Sequence, residues 1–412
     1  MATNNTYNFE EMSATQAAAL QPGDTLTFST PTLTPADVVV SNSDNGFNIT
    51  TITAAGKSLA FPGVALSGTS IQFVSSFIAG EDTTLHIGST AADSLTVSGD
   101  DDGSVAYGFS GNDTISVTGD GAADIYAGEG DDSVSNSGTS GALNIFGGAG
   151  EDSLEGGNSN DHIYGYGLTG DPSEDEGDSI DGGAGNDYIN GNAGNDLIEG
   201  GSGNDRILGG AGNDFIDGGD GIDNINGNKG DDVIIGDAGN DSLRGGADND
   251  FLFGGADNDI LQGDLGDDVL LGGTGIDLLT GGAGNDIFGF TGTGDAAFTT
   301  TGALAYFTDV VTDFTSGDDT IALPFEVDAD ILLQDNGVTF TTVAAALTYA
   351  QELLDDDAVA GSVAAIQVGA DTYLFYDEDG EYTLDGDITS AVLLKGVTAA
   401  DLTVDDFFVA MA

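Results

Sequence analysis

The chain has 412 residues, with 71 Asp and Glu against 5 Lys and Arg, which gives a formal net charge of −66. This charge argues against nucleic acid as a direct partner, because the phosphate backbone is itself an anion. Cysteine is absent, which excludes disulfides and Cys-ligated metals, and no apolar run is long enough to predict a transmembrane segment. Hydrophobic residues still make up 39% of the chain, so the composition predicts a folded protein whose acid is neutralised by cations.

Residues 1–100 are predicted to form a β-rich N-terminal domain. Short strand candidates recur roughly every 10–15 residues, for example at 25–28 and 70–74, with turn residues between them. This spacing suits either a β-sandwich or an irregular solenoid. We favour the solenoid, because the chain passes into the repeats that follow without a linker. A short helix is predicted at residues 9–20, where it would cap the open end.

Residues 101–172 are predicted to contain degenerate repeats of nine residues. Four segments fit the repeat: 108–116, 127–135, 147–155 and 156–164. The eight residues 165–172 are interpreted as a loop inserted between coils.

The clearest pattern is a run of twelve contiguous nonapeptides from Gly182 to Gly289, which follows a related unit at 173–181. Each of the twelve has Asp in sixth place and a large apolar residue in eighth place. The first six residues are rich in Gly, Asn and Asp, which accept positive φ and turn tightly. The last three predict a short strand whose middle side chain points away from its neighbours. Two units then make one coil, with the eighth-place side chains inside and the turns stacked along both edges.

Stacked turns bring carboxylates and backbone carbonyl oxygens together along each edge. Carboxylates repel one another unless a cation lies between them, and oxygen-only ligands favour Ca²⁺ over zinc or copper. Several units depart from the pattern, and two of them have Asp248 and Asp257 in the fourth place that Gly usually holds. Asp accepts left-handed backbone geometry better than most residues but less readily than Gly, so a weaker turn is expected at these two places.

The pattern GGxGxDxUx, in which U is large and apolar, resembles the haemolysin-type calcium-binding repeat of the RTX family of type I secreted bacterial proteins. The resemblance implies an all-β fold, a right-handed parallel β-roll in residues 173–289, in which each Ca²⁺ lies between unit n and unit n+2. The thirteen in-phase units then predict roughly eleven ions. The resemblance to the RTX family also implies that the sixth-place aspartates are the main side-chain ligands. These are Asp113, Asp132, Asp152, Asp161, Asp178, Asp187, Asp196, Asp205, Asp214, Asp223, Asp232, Asp241, Asp250, Asp259, Asp268, Asp277 and Asp286.

Residues 290–412 are predicted to form a mostly β C-terminal domain with one helix at Val343–Leu354. Segments 309–323 and 364–377 resemble elements of the domain that ends many RTX proteins. The last residues, Asp405–Ala412, resemble an uncleaved type I secretion signal, in which acidic residues precede a few terminal hydrophobic ones.

No catalytic motif is found in the sequence. The metalloprotease pattern H-E-x-x-H and the lipase pattern G-x-S-x-G are both absent. The two histidines, His86 and His162, are interpreted as ordinary packing or surface residues. We therefore predict that the protein is not an enzyme.

One face of the late roll is predicted to be apolar. Seventh-place and ninth-place side chains point outward, and in one sheet they form an apolar ladder: Val233, Ile235, Phe251, Phe253, Val269, Leu271 and Ile287. Such a patch is normally covered or used. The C-terminal domain could cover the ladder through Leu347, Leu353 and Leu354, or the ladder could be a contact between subunits.

The sequence thus favours a secreted calcium-binding structural protein of a Gram-negative bacterium. Its repeats would fold on extracellular Ca²⁺, and the protein would self-assemble at the cell surface as a surface-layer or matrix component. The predicted partners are other copies of the chain in an oligomer or lattice, a cell-surface glycan and the type I secretion machinery. One alternative is an adhesin whose N-terminal domain binds a surface glycan, and another is a polysaccharide-active enzyme with a solenoid catalytic domain.

Overall fold

The computed structural model describes residues 6–8, 25–28, 39–43, 49–54, 57–62, 69–74, 82–87, 92–97, 104–137, 141–166, 176–290, 293–296, 309–323, 332–334, 340–356, 363–376 and 390–409. These residues are all-β apart from one α-helix and two short 3-10 helices, and most strands belong to a parallel β-solenoid, as the sequence predicts. The helix predicted at residues 9–20 lies outside them, as does most of the inserted loop. The chain forms two compact units, residues 1–210 and 211–412.

The first unit begins with seven short strands: β1 (Thr6–Asn8), β2 (Thr25–Phe28), β3 (Val39–Ser43), β4 (Ile49–Ala54), β5 (Lys57–Pro62), β6 (Thr69–Val74) and β7 (Asp82–Ile87). Strands β1, β2 and β6 pair in parallel, and β6 pairs antiparallel with β7. Strands β3, β4 and β5 form a separate antiparallel sheet that is not a solenoid rung.

The rest of the first unit is solenoid. Its strands are β8 (Ser94–Val97), β9 (Ser104–Ser110), β10 (Thr114–Val117), β11 (Ala123–Glu129), β12 (Ser133–Asn136), β13 (Leu143–Ala149), β14 (Ser153–Gly157), β15 (His162–Tyr164), β16 (Ser179–Gly183), β17 (Tyr188–Ala193), β18 (Leu197–Ser202) and β19 (Arg206–Ala211). Even-numbered strands pair in parallel in one sheet, and odd-numbered strands pair in parallel in the other. Strand β7 joins the odd-numbered sheet by pairing in parallel with β9.

The second unit repeats the arrangement with β20 (Phe215–Asp220), β21 (Asn224–Lys229), β22 (Val233–Ala238), β23 (Ser242–Ala247), β24 (Phe251–Ala256), β25 (Ile260–Leu265), β26 (Val269–Thr274), β27 (Leu278–Ala283) and β28 (Ile287–Gly289). Alternate strands again pair in parallel, with each residue opposite the equivalent residue one coil later. Thus Phe251 pairs with Val269, and Leu252 pairs with Leu270.

The C-terminal part adds β29 (Thr293–Ala296), β30 (Asp309–Val311), β31 (Thr320–Leu323), β32 (Leu332–Gln334), helix α1 (Val343–Asp356), β33 (Val363–Val368), β34 (Asp371–Tyr376), β35 (Ser390–Leu394) and β36 (Phe407–Val409), with 3-10 helices at Ala399–Asp401 and Val404–Asp406. Strands β30 and β31 continue the two solenoid sheets beyond β27 and β28. They pair in turn with β35 and β36, while β33, β34 and β35 pair antiparallel. No helix among the described residues is long and apolar enough to cross a membrane.

The core is a stack of eighth-place side chains. Every one of them from Ile180 to Phe288 is at most 2% exposed. Full burial of a side chain of this size contributes about 1.5–3 kcal/mol, so each residue of this interior column stabilises the fold.

Positive φ occurs at the second and fourth places of the repeat. Asp248 and Asp257 take φ of 79° and 78°, so both adopt the left-handed geometry that Gly takes at the same place in other units. Asn192 and Asn228 do the same in second place, with φ of 73° and 76°. The departures from Gly therefore keep the turn geometry, because Asn and Asp accept this backbone region.

Helix α1 packs on the C-terminal sheet. Its Leu347 is 8% exposed and belongs to a cluster with Ile366, Phe375 and Ala391. Leu347 is therefore not available to cover the apolar ladder. The structure does not describe the side chains of Leu353 and Leu354. All seven ladder residues are partly exposed.

Candidate metal centre in the stacked turns

The seventeen predicted aspartates all lie at equivalent places in the turns. Each immediately precedes a strand, and each is between 0 and 3% exposed. Burial of so many carboxylates in a chain of net charge −66 is costly unless each is paired or bonded.

In most of the stacked aspartates, one carboxylate oxygen accepts a backbone hydrogen bond. The N–H of Asp232 donates to Oδ1 of Asp250 at 2.9 Å, and the N–H of Asp250 donates to Oδ1 of Asp268 at 2.8 Å. Along the other edge the N–H of Asp241 donates to Oδ1 of Asp259 at 2.8 Å. Within each unit, the sixth-place residues thus form a ladder along an edge that ties one coil to the next.

The other carboxylate oxygen is buried, and in many of these residues the described part of the chain offers it no hydrogen-bond donor. This is so for Oδ2 of nine of the predicted residues: Asp113, Asp132, Asp161, Asp187, Asp232, Asp241, Asp250, Asp259 and Asp268. Buried polar atoms normally have a partner. A regular series of buried anionic oxygens without one indicates that a cation completes the site.

The first-place glycine provides the space next to this oxygen. A Cβ added at Gly254 would lie 2.5 Å from Oδ2 of Asp259 and 2.5 Å from the carbonyl oxygen of Gly272. Gly254 is not among the residues with positive φ, so the glycine is needed for room rather than for backbone geometry. The carboxylate oxygen and a carbonyl oxygen of the next coil therefore converge on one gap.

The fifth-place side chains form a second, exposed ladder that the sequence did not assign. The N–H of Asn249 donates to Oδ1 of Asp231 at 2.9 Å, and the N–H of Asp267 donates to Oδ1 of Asn249 at 2.8 Å. The N–H of Asn285 donates to Oδ1 of Asp267 at 2.8 Å. The Asn or Asp of this place therefore satisfies a backbone donor of the following coil.

Burial raises the pKa of the sixth-place carboxyl groups. The pKa of Asp250 rises from 3.8 to about 8, chiefly because of desolvation, with the backbone hydrogen bond from Asp232 opposing the rise. For Asp187 and Asp259 the same cause raises the pKa to about 7. Near neutral pH these groups therefore hold a proton or need a cation.

The available donors suit Ca²⁺. Among the described residues, no group of three or more His, Cys, Asp or Glu side chains is arranged to hold a metal. A bound ion would therefore use one or two carboxylates and complete its shell with turn carbonyl oxygens. An all-oxygen set of this kind matches the preference of Ca²⁺ for several hard ligands in flexible geometry.

The sixth-place ladder extends beyond the predicted residues at both ends. The N–H of Asp93 donates to Oδ1 of Asp113 at 2.7 Å. Asp277 and Asp286 donate to Oδ1 of Asp309 at 2.8 Å and of Asp319 at 3.0 Å. Each added aspartate is followed two residues later by a buried apolar residue, as in D-S-L at 93–95 and D-T-I at 319–321. This short Asp-x-apolar signal could have identified them.

The early coils carry this ladder on one edge only. On the strands β9, β11 and β13 the sixth place is held by Ser104, Ala123 and Leu143, each of them buried. The N–H of Leu143 donates to Oδ1 of Asp161 at 2.6 Å, where the second ladder begins. The candidate sites of residues 101–155 are therefore confined to one edge.

The segment predicted as a secretion signal contributes to the fold. Asp406 is 1% exposed, and its Oδ1 accepts a 2.8 Å hydrogen bond from the N–H of Gly317. Its Oδ2 accepts a 2.6 Å bond from the N–H of Thr403, and Phe407 begins β36. The residues from Thr403 to Phe407 thus hold the end of the solenoid.

The match to a family model agrees with this geometry. The family model of the RTX calcium-binding nonapeptide repeat matches residues 137–167, 174–207, 191–225, 208–243, 226–261 and 262–290. No curated protein matches the chain. Among solved structures, it is similar to the solution structure of the AlgE6R3 subunit from the Azotobacter vinelandii mannuronan C5-epimerase, with 25% identity and a TM-score of 0.28 over 43% of this chain and 80% of that chain. The solenoid between residues 137 and 290 is thus built from calcium-binding repeats of the RTX family.

Proposed function

We propose that this chain is a secreted structural protein of a Gram-negative bacterium, which folds on extracellular Ca²⁺ and self-assembles at the cell surface. The observation that carries the proposal is the series of nine buried aspartates whose Oδ2 atoms have no donor among the described residues. Without a cation, closing the coils would bury these charges. With Ca²⁺ in the turns, binding and folding become a single event.

The residues that would hold each ion are the sixth-place aspartates and the carbonyl groups of the stacked turns. Ca²⁺ supplies neutralising charge, and roughly eleven ions are expected in residues 173–289 if each pair of stacked units holds one. Extracellular calcium modules bind Ca²⁺ with dissociation constants near ~10⁻⁴–10⁻³ M. With such affinities, the repeats would be free of Ca²⁺ in the cytosol and loaded with it outside the cell. At cytosolic calcium the repeats would stay expanded, a state suited to export through a type I secretion machinery.

The self-assembly part rests on the apolar ladder. Its seven residues include no charged side chain, although the chain as a whole carries net charge −66. Repulsion between copies is therefore weakest where this face meets its counterpart. Since Leu347 packs elsewhere, the contact between subunits is the explanation that we adopt.

A structural role is proposed rather than an enzymatic one, because the sequence contains neither of the two hydrolase motifs sought. The proposed partners are copies of the same chain in an oligomer or lattice.

The test is a calcium titration of the full-length protein, followed by circular dichroism, light scattering and electron microscopy. We expect β-structure to appear with Ca²⁺ and ordered assemblies to form that dissolve in chelator. The variant Phe251→Ser with Phe253→Ser should fold at the same calcium concentration but fail to assemble. The control, Ile260→Ser with Leu278→Ser, changes exposed apolar residues of the opposite sheet and should assemble normally. A wild-type protein that stays monomeric at every calcium concentration would refute the assembly.

A further inference from the structure

The first unit carries an aromatic stack on the outer side of its odd-numbered sheet. The ninth places of β9, β11, β13 and β15 hold Tyr107, Tyr126, Phe146 and Tyr164. Successive ring centroids lie 4.9, 5.1 and 5.0 Å apart, with planes inclined by 9°, 4° and 5°. Each ring therefore covers the faces of its neighbours. What remains open to solvent is a row of ring edges, three of which bear a hydroxyl group.

A row of polar side chains runs beside the stack in the seventh places. The amide nitrogen of Asn144 donates to Oδ1 of Asp124 at 2.7 Å, and Oδ1 of Asn144 lies 3.2 Å from Nδ1 of His162. Because the amide nitrogen is used by Asp124, the oxygen faces His162, whose Nδ1 must carry the hydrogen. In the neutral form of this exposed imidazole, Nε2 is then an acceptor.

The row ends in the cationic side chain of Arg206. The ring of His162 meets that of Tyr188 edge-on at 5.8 Å, and the guanidinium of Arg206 lies 5.6 Å from the centre of the Tyr188 ring. Within the described part of the chain, no carboxylate lies at ion-pair distance from Arg206, although the sequence contains 71 acidic residues. Arg206 is exposed, so its N–H donors are available.

This surface is nearly neutral in a strongly acidic protein. We call it the aromatic–polar face, meaning the seventh-place and ninth-place side chains of β9, β11, β13, β15, β17 and β19. It contains one acid, Asp124, against Arg206. The opposite sheet of the same unit instead presents the exposed acids Glu155, Asp181 and Glu199 on adjacent strands. A polycation would prefer that side, and a polyanion is repelled by the chain as a whole.

We propose that the aromatic–polar face binds a linear neutral glycan that lies along the solenoid axis. Hydroxyl, amide, imidazole and guanidinium groups recur at rungs about 5 Å apart, which is close to the advance per sugar of an extended β-1,4-linked chain. Such a glycan offers hydroxyl groups at the same period to donors and acceptors alike. The site lies outside residues 1–100, where a glycan site was the alternative prediction, and it does not depend on self-assembly.

The test is isothermal titration calorimetry on the calcium-loaded full-length protein with three hexasaccharides. Cellohexaose and β-1,4-mannohexaose are extended, whereas maltohexaose has the same sugar as cellohexaose but a helical chain. We expect at least one extended glycan to bind at least tenfold more tightly than maltohexaose. No binding of either extended glycan, or equal binding of cellohexaose and maltohexaose, would overturn the proposal.

Variants locate the site without disturbing the stack. Tyr126→Phe with Tyr164→Phe removes two hydroxyl groups but keeps both rings, and Arg206→Gln removes the guanidinium. Each change should weaken binding of the extended glycan at least fivefold while the calcium-dependent circular dichroism stays as in wild type. The control Glu199→Gln lies on the opposite sheet and should bind as wild type does. Unchanged affinity in both site variants would place the glycan elsewhere and refute the assignment.

Discussion

Replacing Asp250 by Asn should have opposite effects on the calcium-free and the calcium-bound protein. Asn keeps an oxygen that can accept the N–H of Asp232, the hydrogen bond that Oδ1 of Asp250 now accepts at 2.9 Å. It replaces Oδ2, which has no donor, with an amide nitrogen that cannot coordinate a cation. The substitution therefore removes a buried charge from the empty turn and a ligand from the loaded one.

The pKa of the group sets the magnitude for the calcium-free protein. A pKa that rises from 3.8 to about 8 corresponds to a cost for the ionised form on the order of 5 kcal/mol. Part of this cost arises from repulsion by Asp232 and Asp268, which the neutral Asn also relieves, and part is screened by solvent. We expect Asp250→Asn to stabilise the calcium-free fold above pH 8 by about 2–5 kcal/mol.

Circular dichroism in chelator between pH 5 and pH 9 measures this effect. A buried carboxyl with a raised pKa takes up a proton on folding, so the stability of the calcium-free fold falls as the pH rises through the folded-state pKa. Asp250→Asn should therefore move the loss of β-structure to higher pH. In a calcium titration at pH 7.5, the same variant should need about tenfold more Ca²⁺, because one ligand charge is lost.

The control is Asp248→Asn, an exposed residue of the same turn with φ of 79°. Asn accepts this backbone geometry, so the control should leave the pH profile near that of wild type. If Asp250→Asn and Asp248→Asn behave alike in chelator, burial of the sixth-place charge is not what opposes folding without calcium.

Three further predictions concern the turns and the core. Gly254→Ala should remove at least one ion from the calorimetric calcium stoichiometry, because the methyl group fills the gap between Asp259 and Gly272; an unchanged stoichiometry would show that the gap is not a binding place. Ile234→Ala should cost about 2–5 kcal/mol in urea unfolding with saturating Ca²⁺, because the side chain is 0% exposed. A similar loss for the outward-pointing Ile235→Ala would contradict this reasoning. The calcium midpoint of folding should rise as the pH falls from 8 to 5, since protons compete for carboxyl groups whose pKa is raised to about 6–8; a midpoint independent of pH would count against these groups as ligands.

Much of the regular roll could be predicted because each unit is surrounded by copies of itself. Once the period is known, the neighbours of Asp250 must be Asp232 and Asp268, and those of Leu252 must be equivalent apolar residues. The buried interior and the carboxylate ladders follow from this alone. The sequence also indicated why a cation is needed, since like charges at one repeated place have to stack.

The degenerate part could not be predicted to the same degree, because its rungs are unequal in length. Tyr107, Tyr126, Phe146 and Tyr164 are separated by 19, 20 and 18 residues, yet the structure stacks them at about 5 Å. A pattern search at a fixed period of nine aligns only Phe146 with Tyr164, because the other two separations are not multiples of nine. Only the pairing of the strands decides which side chains meet, and so it alone revealed the aromatic–polar face.

The sequence by itself therefore determined the solenoid, its inward column and the calcium-type turns, since these depend on a period. Tertiary structure decided what depends on contacts between unlike segments. It placed Asp309 and Asp319 at the end of the ladders and packed Leu347 on the C-terminal sheet. It also showed that Gly254 is required for space, because the atoms that crowd it come from five residues ahead and from the next coil. A local pattern fixes backbone conformation, whereas the distance between side chains far apart in sequence is set only when the coils close.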